Sequence, residues 1–149
     1  MAMLIGWTEA GKGDICVNDA NHVIGTGHPL ISEVVTTLFT DAAQEPGDPV
    51  PESVPLRGWW GDSYHTTTDG SVGSKLWQLP WIRSPSVREL YAVQWAEDAM
   101  QWLINTQRVA SISATAAHRS VDWLDLRVIL RVDKDTAHTL LFSIPTTGG

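Results

Sequence analysis

The chain has 149 residues, a formal net charge of −7 and a hydrophobic fraction of 43%, which reads as a single domain, 1–149, of ordinary globular composition. The acidic balance argues against a nucleic-acid binder, which needs clustered Lys and Arg for phosphate contacts, and disfavours docking on anionic lipid. The single cysteine, Cys16, forbids an internal disulfide and points to a reduced compartment.

The first residues, MAMLIGWTEAGKGD, lack a basic n-region and a long apolar run, so no signal peptide is expected. No stretch reaches ~18 apolar residues, so no membrane span is expected either. DICV at 14–17 and HVI at 22–24 read as two short strands split by Asn18-Asp19, a small hairpin. Ile31, Val34, Val35 and Leu38 fall at i, i+3, i+4, i+7 and predict an amphipathic helix from about 29 to 40, with Pro29 in its first turn.

Residues 41–56 differ in kind. Four prolines and four carboxylates occur there without a single Lys or Arg. Proline forbids a regular helix and like charges repel, so an extended, mobile loop or internal linker is expected. A Trp- and Gly-rich loop follows at 57–81. It holds Trp59, Trp60, Trp77 and Trp81, has no period of two or of 3.6, and allows one helical turn near 74–79.

Ser86 to Glu89 matches a capping box opening the longest helix, about 87–105. Leu90, Val93, Met100, Leu103 and Ile104 make one apolar stripe; Tyr91, Trp95, Ala99 and Trp102 make a second. A helix apolar over so much of its girth packs on two sides. Beyond it the pattern alternates with period two: Ala110 to Ala116, Leu124 to Val132, and His138 to Ile144. Short polar connections between these strands predict an antiparallel meander. The expected class is α+β, a three-stranded C-terminal sheet packed by the 87–105 helix with the 29–40 helix nearby.

No constellation for chemistry stands out. No pair among His22, His28, His65, His118 and His138 has metal-ligand spacing, and no metal or other cofactor is expected. Asp62 and His65 flank Ser63 and Tyr64 but lack a nucleophile elbow, so a turn-capping Asp62 and an exposed His65 are the plainer reading. The carboxylates of 41–56 sit in a loop too Pro-rich to hold a glycosidase pair rigidly. Adjacent tryptophans cannot present two parallel faces to one sugar, so Trp59 and Trp60 read as core or interface anchors.

RGWWGD at 57–62, GSKLWQL at 73–79, and the WLI helix end at 102–104 followed by a VASIS strand resemble the small baseplate protein family of Mu-like contractile-tailed phages, of the type of gene product forty-six. The helix–strand end and the sheet are also similar to the small wedge proteins of contractile injection systems. The resemblance implies a virion structural role: an inner baseplate wedge subunit, present in several copies around a symmetric baseplate, that binds larger wedge proteins and supports sheath or tube assembly. It implies assembly in the host cytoplasm and no enzymatic activity. Interaction residues expected on this ground are Arg57, Trp59, Trp60, Asp62 and Arg108. Arg108 matches the last position of a Glu-Pro-Arg motif, where this chain reads Thr106-Gln107-Arg108 and departs at the first two. The last strand, 137–144, is expected at a sheet edge, open to strand addition. The alternatives are a lysozyme-like peptidoglycan-cleaving tail enzyme, which would need a convergent acid pair, and a carbohydrate-binding module using Trp59 or Trp60.

Overall fold

The computed structural model describes residues 5–7, 13–15, 29–58 and 73–147. Contacts divide the chain into two compact units, 1–36 and 37–149. The expected strand at 22–24 lies outside the described residues, as do Trp59, Trp60, Asp62 and His65.

In the first unit, β1 (Ile5–Trp7) pairs antiparallel with β2 (Gly13–Ile15), Ile5 opposite Ile15 and Trp7 opposite Gly13. Asp14 and Ile15 are therefore in a strand as expected, but their partner is 5–7. The Ile-Gly-Trp triplet places a β-branched and an aromatic residue two apart, and a five-residue connection containing Gly11 is of hairpin length. The helix α1 (Pro29–Phe39) follows, with Pro29 at its first position. Leu30, Val34, Val35 and Leu38 are buried, while Ile31 is only half-buried. The boundary between the units falls inside α1, after Thr36.

The second unit is built on the helix α2 (Pro85–Asn105) and the strands β3 (Ser111–His118), β4 (Trp123–Arg131) and β5 (Ala137–Pro145). The strands form an antiparallel meander in the order β3-β4-β5. Leu124, Leu126, Val128 and Leu130 are fully buried on the inner face of β4. Burial of each contributes about 1.5–3 kcal/mol. Ile112, Ala114 and Ala116 on β3, and Leu140, Phe142 and Ile144 on β5, share that face through the register. Phe142 meets Phe39 edge-on, ring centroids 5.3 Å apart.

α2 starts two residues earlier than expected. Pro85 takes its first position and Ser84 is the N-cap residue, without a side-chain bond. The Ser86–Glu89 capping box does not form, because Ser86 lies inside the helix; Glu89 instead accepts from the His118 N–H of the sheet. The buried stripe is Arg88, Ala92, Trp95, Ala96, Met100 and Leu103. Leu90, expected inside, is 65% exposed. The small Ala92 and Ala96 let the helix approach closely, so the contact seam centres on them and rotates Leu90 outward. Trp95 lies inside, tilted against Tyr91 at 4.9 Å.

Candidate interaction surface

Three features of the second unit bear on function: a clamp around residues 40–58, the corner after α2, and the two edges of the sheet.

The clamp replaces the mobile loop expected at 41–56. Asp41 and Ser74 form a parallel bridge: the N–H of Ser74 donates to Thr40 O at 2.9 Å and that of Ala42 to Ser74 O at 3.0 Å. The buried hydroxyl of Ser74 donates to Leu38 O at 2.6 Å. The cations that the loop itself lacks come from its flanks. Lys75 Nζ sits 2.6 Å from Glu45 and 2.9 Å from Asp48. Arg57 lies 2.7 Å from Asp41 and 4.5 Å over the ring of Trp77. Trp77 Nε1 donates to Ala42 O at 3.0 Å, and the fully buried Gln78 donates to Asp48 at 2.8 Å.

Burial pushes the Asp48 carboxyl up. Hydrogen bonds from the Glu45 N–H, Gln78 and Lys75, with the Lys75 charge, more than offset this and hold it below the ordinary carboxylate value. Desolvation likewise lowers Lys75, but its bonds to Glu45 and Asp48 and their charges hold it above the ordinary lysine value.

Two glycines mark where the chain leaves and re-enters this clamp. Gly58 has φ +119° and Gly73 has φ +110°. A Cβ on Gly73 would stand 2.4 Å from Thr40 O, and one on Gly58 would stand 2.9 Å from Ala43 Cβ. Both feet of the segment carrying Trp59, Trp60 and Asp62 are thus pinned to residues 40–43. The 3-10 turn Leu76–Trp81 continues from the second foot, with Trp77 and Trp81 edge-to-face at 5.9 Å.

The corner holding Arg108 is a Schellman closure of α2. The Gln107 N–H donates to Ile104 O at 3.0 Å, and the Arg108 N–H donates to Leu103 O at 2.9 Å. Gln107 occupies the left-handed position, φ +59°, that glycine usually fills. Arg108 is exposed beside it.

The two sheet edges differ. The Arg119 N–H donates to Trp123 O, so by alternation odd residues of β3 bond β4 and even ones point outward. Two of those outward donors are met by α2: the Ala114 N–H donates to Glu97 Oε1 at 3.0 Å and the His118 N–H to Glu89 Oε1 at 2.8 Å. The spacings match, since eight residues of helix rise ~12 Å and four residues of strand span ~13 Å. On the other side, Thr146 and Val132 bond across the β4–β5 ladder, to Asp122 O and Thr136 O. Even residues of β5 therefore face β4. The N–H groups of Ala137, Thr139, Leu141 and Ser143 point out of an edge that no strand covers among the described residues. Leu141 is 63% exposed there. Neither carboxylate cap was readable in sequence, because each joins residues 17 or 29 positions apart.

Comparison with known proteins gives a consistent picture. The profile of the family described as "Phage protein GP46" matches residues 30–137, from α1 to the first residue of β5. The chain is 35% identical over 129 residues to "Baseplate protein gp46" of Escherichia phage Mu, covering 86% of this chain and 85% of that protein. It is 32% identical over 127 residues to "Mu-like prophage FluMu protein gp46" of Haemophilus influenzae, covering 80% and 79% respectively.

Proposed function

The chain belongs to the phage protein GP46 family, and from that premise we propose that it is a structural subunit of a contractile phage tail baseplate. In this reading it is an inner wedge component that binds larger wedge proteins and supports assembly of the sheath. Its role is architectural, not catalytic, and its place is the virion tail after assembly in the host cytoplasm. The printed name of the Escherichia phage Mu relative, a baseplate protein, supports the coarse role.

The observation that carries the finer role is the asymmetry of the sheet. One edge is closed by Glu89 and Glu97, and the other, β5, offers a row of outward N–H groups. Main-chain hydrogen bonding to an added strand gives affinity, and alternate side-chain positions give specificity. A sheath or tube strand is assigned to β5. The segment between Gly58 and Gly73, with Trp59, Trp60 and Asp62 and with Arg57 at its foot, is assigned to a wedge contact, as is Arg108.

Light scattering on a sizing column tests this, with the chain alone and mixed with the larger wedge and sheath proteins of its phage. A stable heteromeric complex is expected. Leu141→Pro removes an outward N–H without touching the β4 ladder, so it should stay folded and lose the sheath contact. A folded Leu141→Pro variant that assembles like the wild type would sink the edge assignment. Trp60→Ala divides the other contact: a folded variant that fails to join the wedge places Trp60 at an interface, whereas loss of folding places it in the core.

A further inference from the structure

Arg88 is only 8% exposed, yet among the described residues no carboxylate pairs with it. Its Nε donates to Leu79 O and Ile82 O at 3.2 and 3.1 Å, and Nη2 donates to Ile82 O at 2.6 Å. Carbonyl dipoles hold the fork in place but do not neutralise it. A buried, uncompensated charge is costly. The chain has seventeen Asp and Glu against ten Lys and Arg, so the missing partner does not reflect any shortage of carboxylates.

Arg88 lines an open cleft of about 380 Å³. Arg83 lines it too; it is exposed and has no side-chain partner among the described residues. The remaining wall includes His118, Ser120, Val121 and Thr146, with no Asp or Glu. The wall is sewn in place. His118 Nδ1 donates to Ser120 O at 3.1 Å, Thr146 Oγ1 to Val121 O at 2.8 Å, and the Thr146 N–H to Asp122 O at 2.8 Å. The start of α2 adjoins the cleft through Pro85, with no acidic residue in its first turn and no side-chain cap. Its partial positive charge adds to the field of the two guanidinium groups.

We propose that this cleft is a carboxylate-binding site that receives an Asp or Glu side chain from a partner chain. That the partner is a baseplate protein rests on the function proposed above. Two arginines without counter-ions among the described residues supply the charge complementarity, and Arg is suited to planar carboxylate recognition. A polypeptide suits the site better than a free small anion because the wall also offers an apolar side chain, Val121, which is 83% exposed.

The first test uses the isolated full chain. Sodium succinate is titrated at constant ionic strength while arginine Nε–Hε and backbone amide resonances are followed. Saturable shifts are expected at Arg83, Arg88 and the amides of 85–87 and 118–121, and they should vanish in Arg83→Ala. Shifts that do not saturate, or that are equal at Arg127 and Arg131, would overturn the site. The second test uses the assembled complex. Arg83→Glu should weaken partner binding tenfold or more, while Arg131→Glu on the outer sheet face leaves it unchanged. If succinate binds but Arg83→Glu assembles normally, the cleft takes a small anion and the partner side chain is overturned. If the wild type joins no baseplate complex, the functional reading fails by itself, and the titration still decides the site.

Discussion

The sheet and the clamp lie in the same compact unit but are held by different physics. The sheet rests on a stripe of fully buried aliphatic side chains on β4, flanked by two regular ladders. The clamp rests on ion pairs, a buried glutamine, one parallel bridge and two glycines. The first kind of order is redundant, since many equivalent contacts share the load. The second is specific, since its ion pairs and the side-chain bonds of Trp77 and Gln78 join particular residues 16 to 35 positions apart and have no substitute.

The sharpest way to expose that contrast is to damage each region and follow both. Leu126→Ala opens a cavity at the centre of β4 and should cost ~3–4 kcal/mol of unfolding free energy, measured by urea denaturation, with both regions lost together. Gly73→Ala drives a methyl into Thr40 O at a left-handed φ and should cost about 2 kcal/mol or more. Hydrogen exchange should then rise across 40–58 well before it rises in β4; equal acceleration in both would erase the distinction. Lys75→Met leaves Asp48 without its cation and should cost about 1.5 kcal/mol, again confined to the clamp by exchange.

The pH response should separate the regions without mutation. Asp48 has a depressed carboxyl, so its contribution is present above the ordinary carboxylate value and is lost as pH falls through its lowered folded value. Lys75 is raised, so its contribution is intact below the ordinary lysine value and is lost only as pH rises past its raised folded value. Protection factors for amide exchange in 41–50, taken relative to the intrinsic rate at each pH, should therefore be highest through the neutral range and fall at both extremes. Lys75→Met should abolish the alkaline limb. The smallest effect expected is a gain: Gln107→Gly relieves the left-handed residue after α2 and should stabilise by ~0.5–1 kcal/mol in the same urea experiment.

These regions also differed in how far they could be read from the amino-acid order. Period-two alternation in 124–132 carried the inner face of β4 and, with the short connections, the meander, because a strand writes its environment into neighbouring residues; the edge position of β5 followed from the assembly role that the resemblance implies. The 29–40 and 87–105 helices were found within two residues at each end for a similar reason. On α2 the large apolar residues mark only part of the buried face: Trp95, Met100 and Leu103 are inside, but the seam centres on the small Ala92 and Ala96, which hydropathy does not single out. The clamp was not legible because 41–56 holds four carboxylates and no cation; of the neutralising residues, Arg57 follows its end directly but Lys75 lies beyond the Trp-rich segment. The ties of Arg57 to Asp41 and Trp77 have no local signature, and Arg108 sits on a Schellman corner whose Gln107 gives no glycine signal. The carboxylate caps on β3 have no local signature at all.

Those caps set how many neighbours the sheet can accept. With Glu89 and Glu97 of α2 occupying two of the outward donors of β3, those of His118 and Ala114, an added strand cannot pair along that edge, and growth by hydrogen bonding is available on one side only. In polymer terms the sheet is monovalent. Two copies meeting through β5 would close into a six-stranded sheet with both ends blocked, and a foreign strand added to β5 would find no second site on the far side. Such a chain can begin or end a run of strands, but it cannot propagate one.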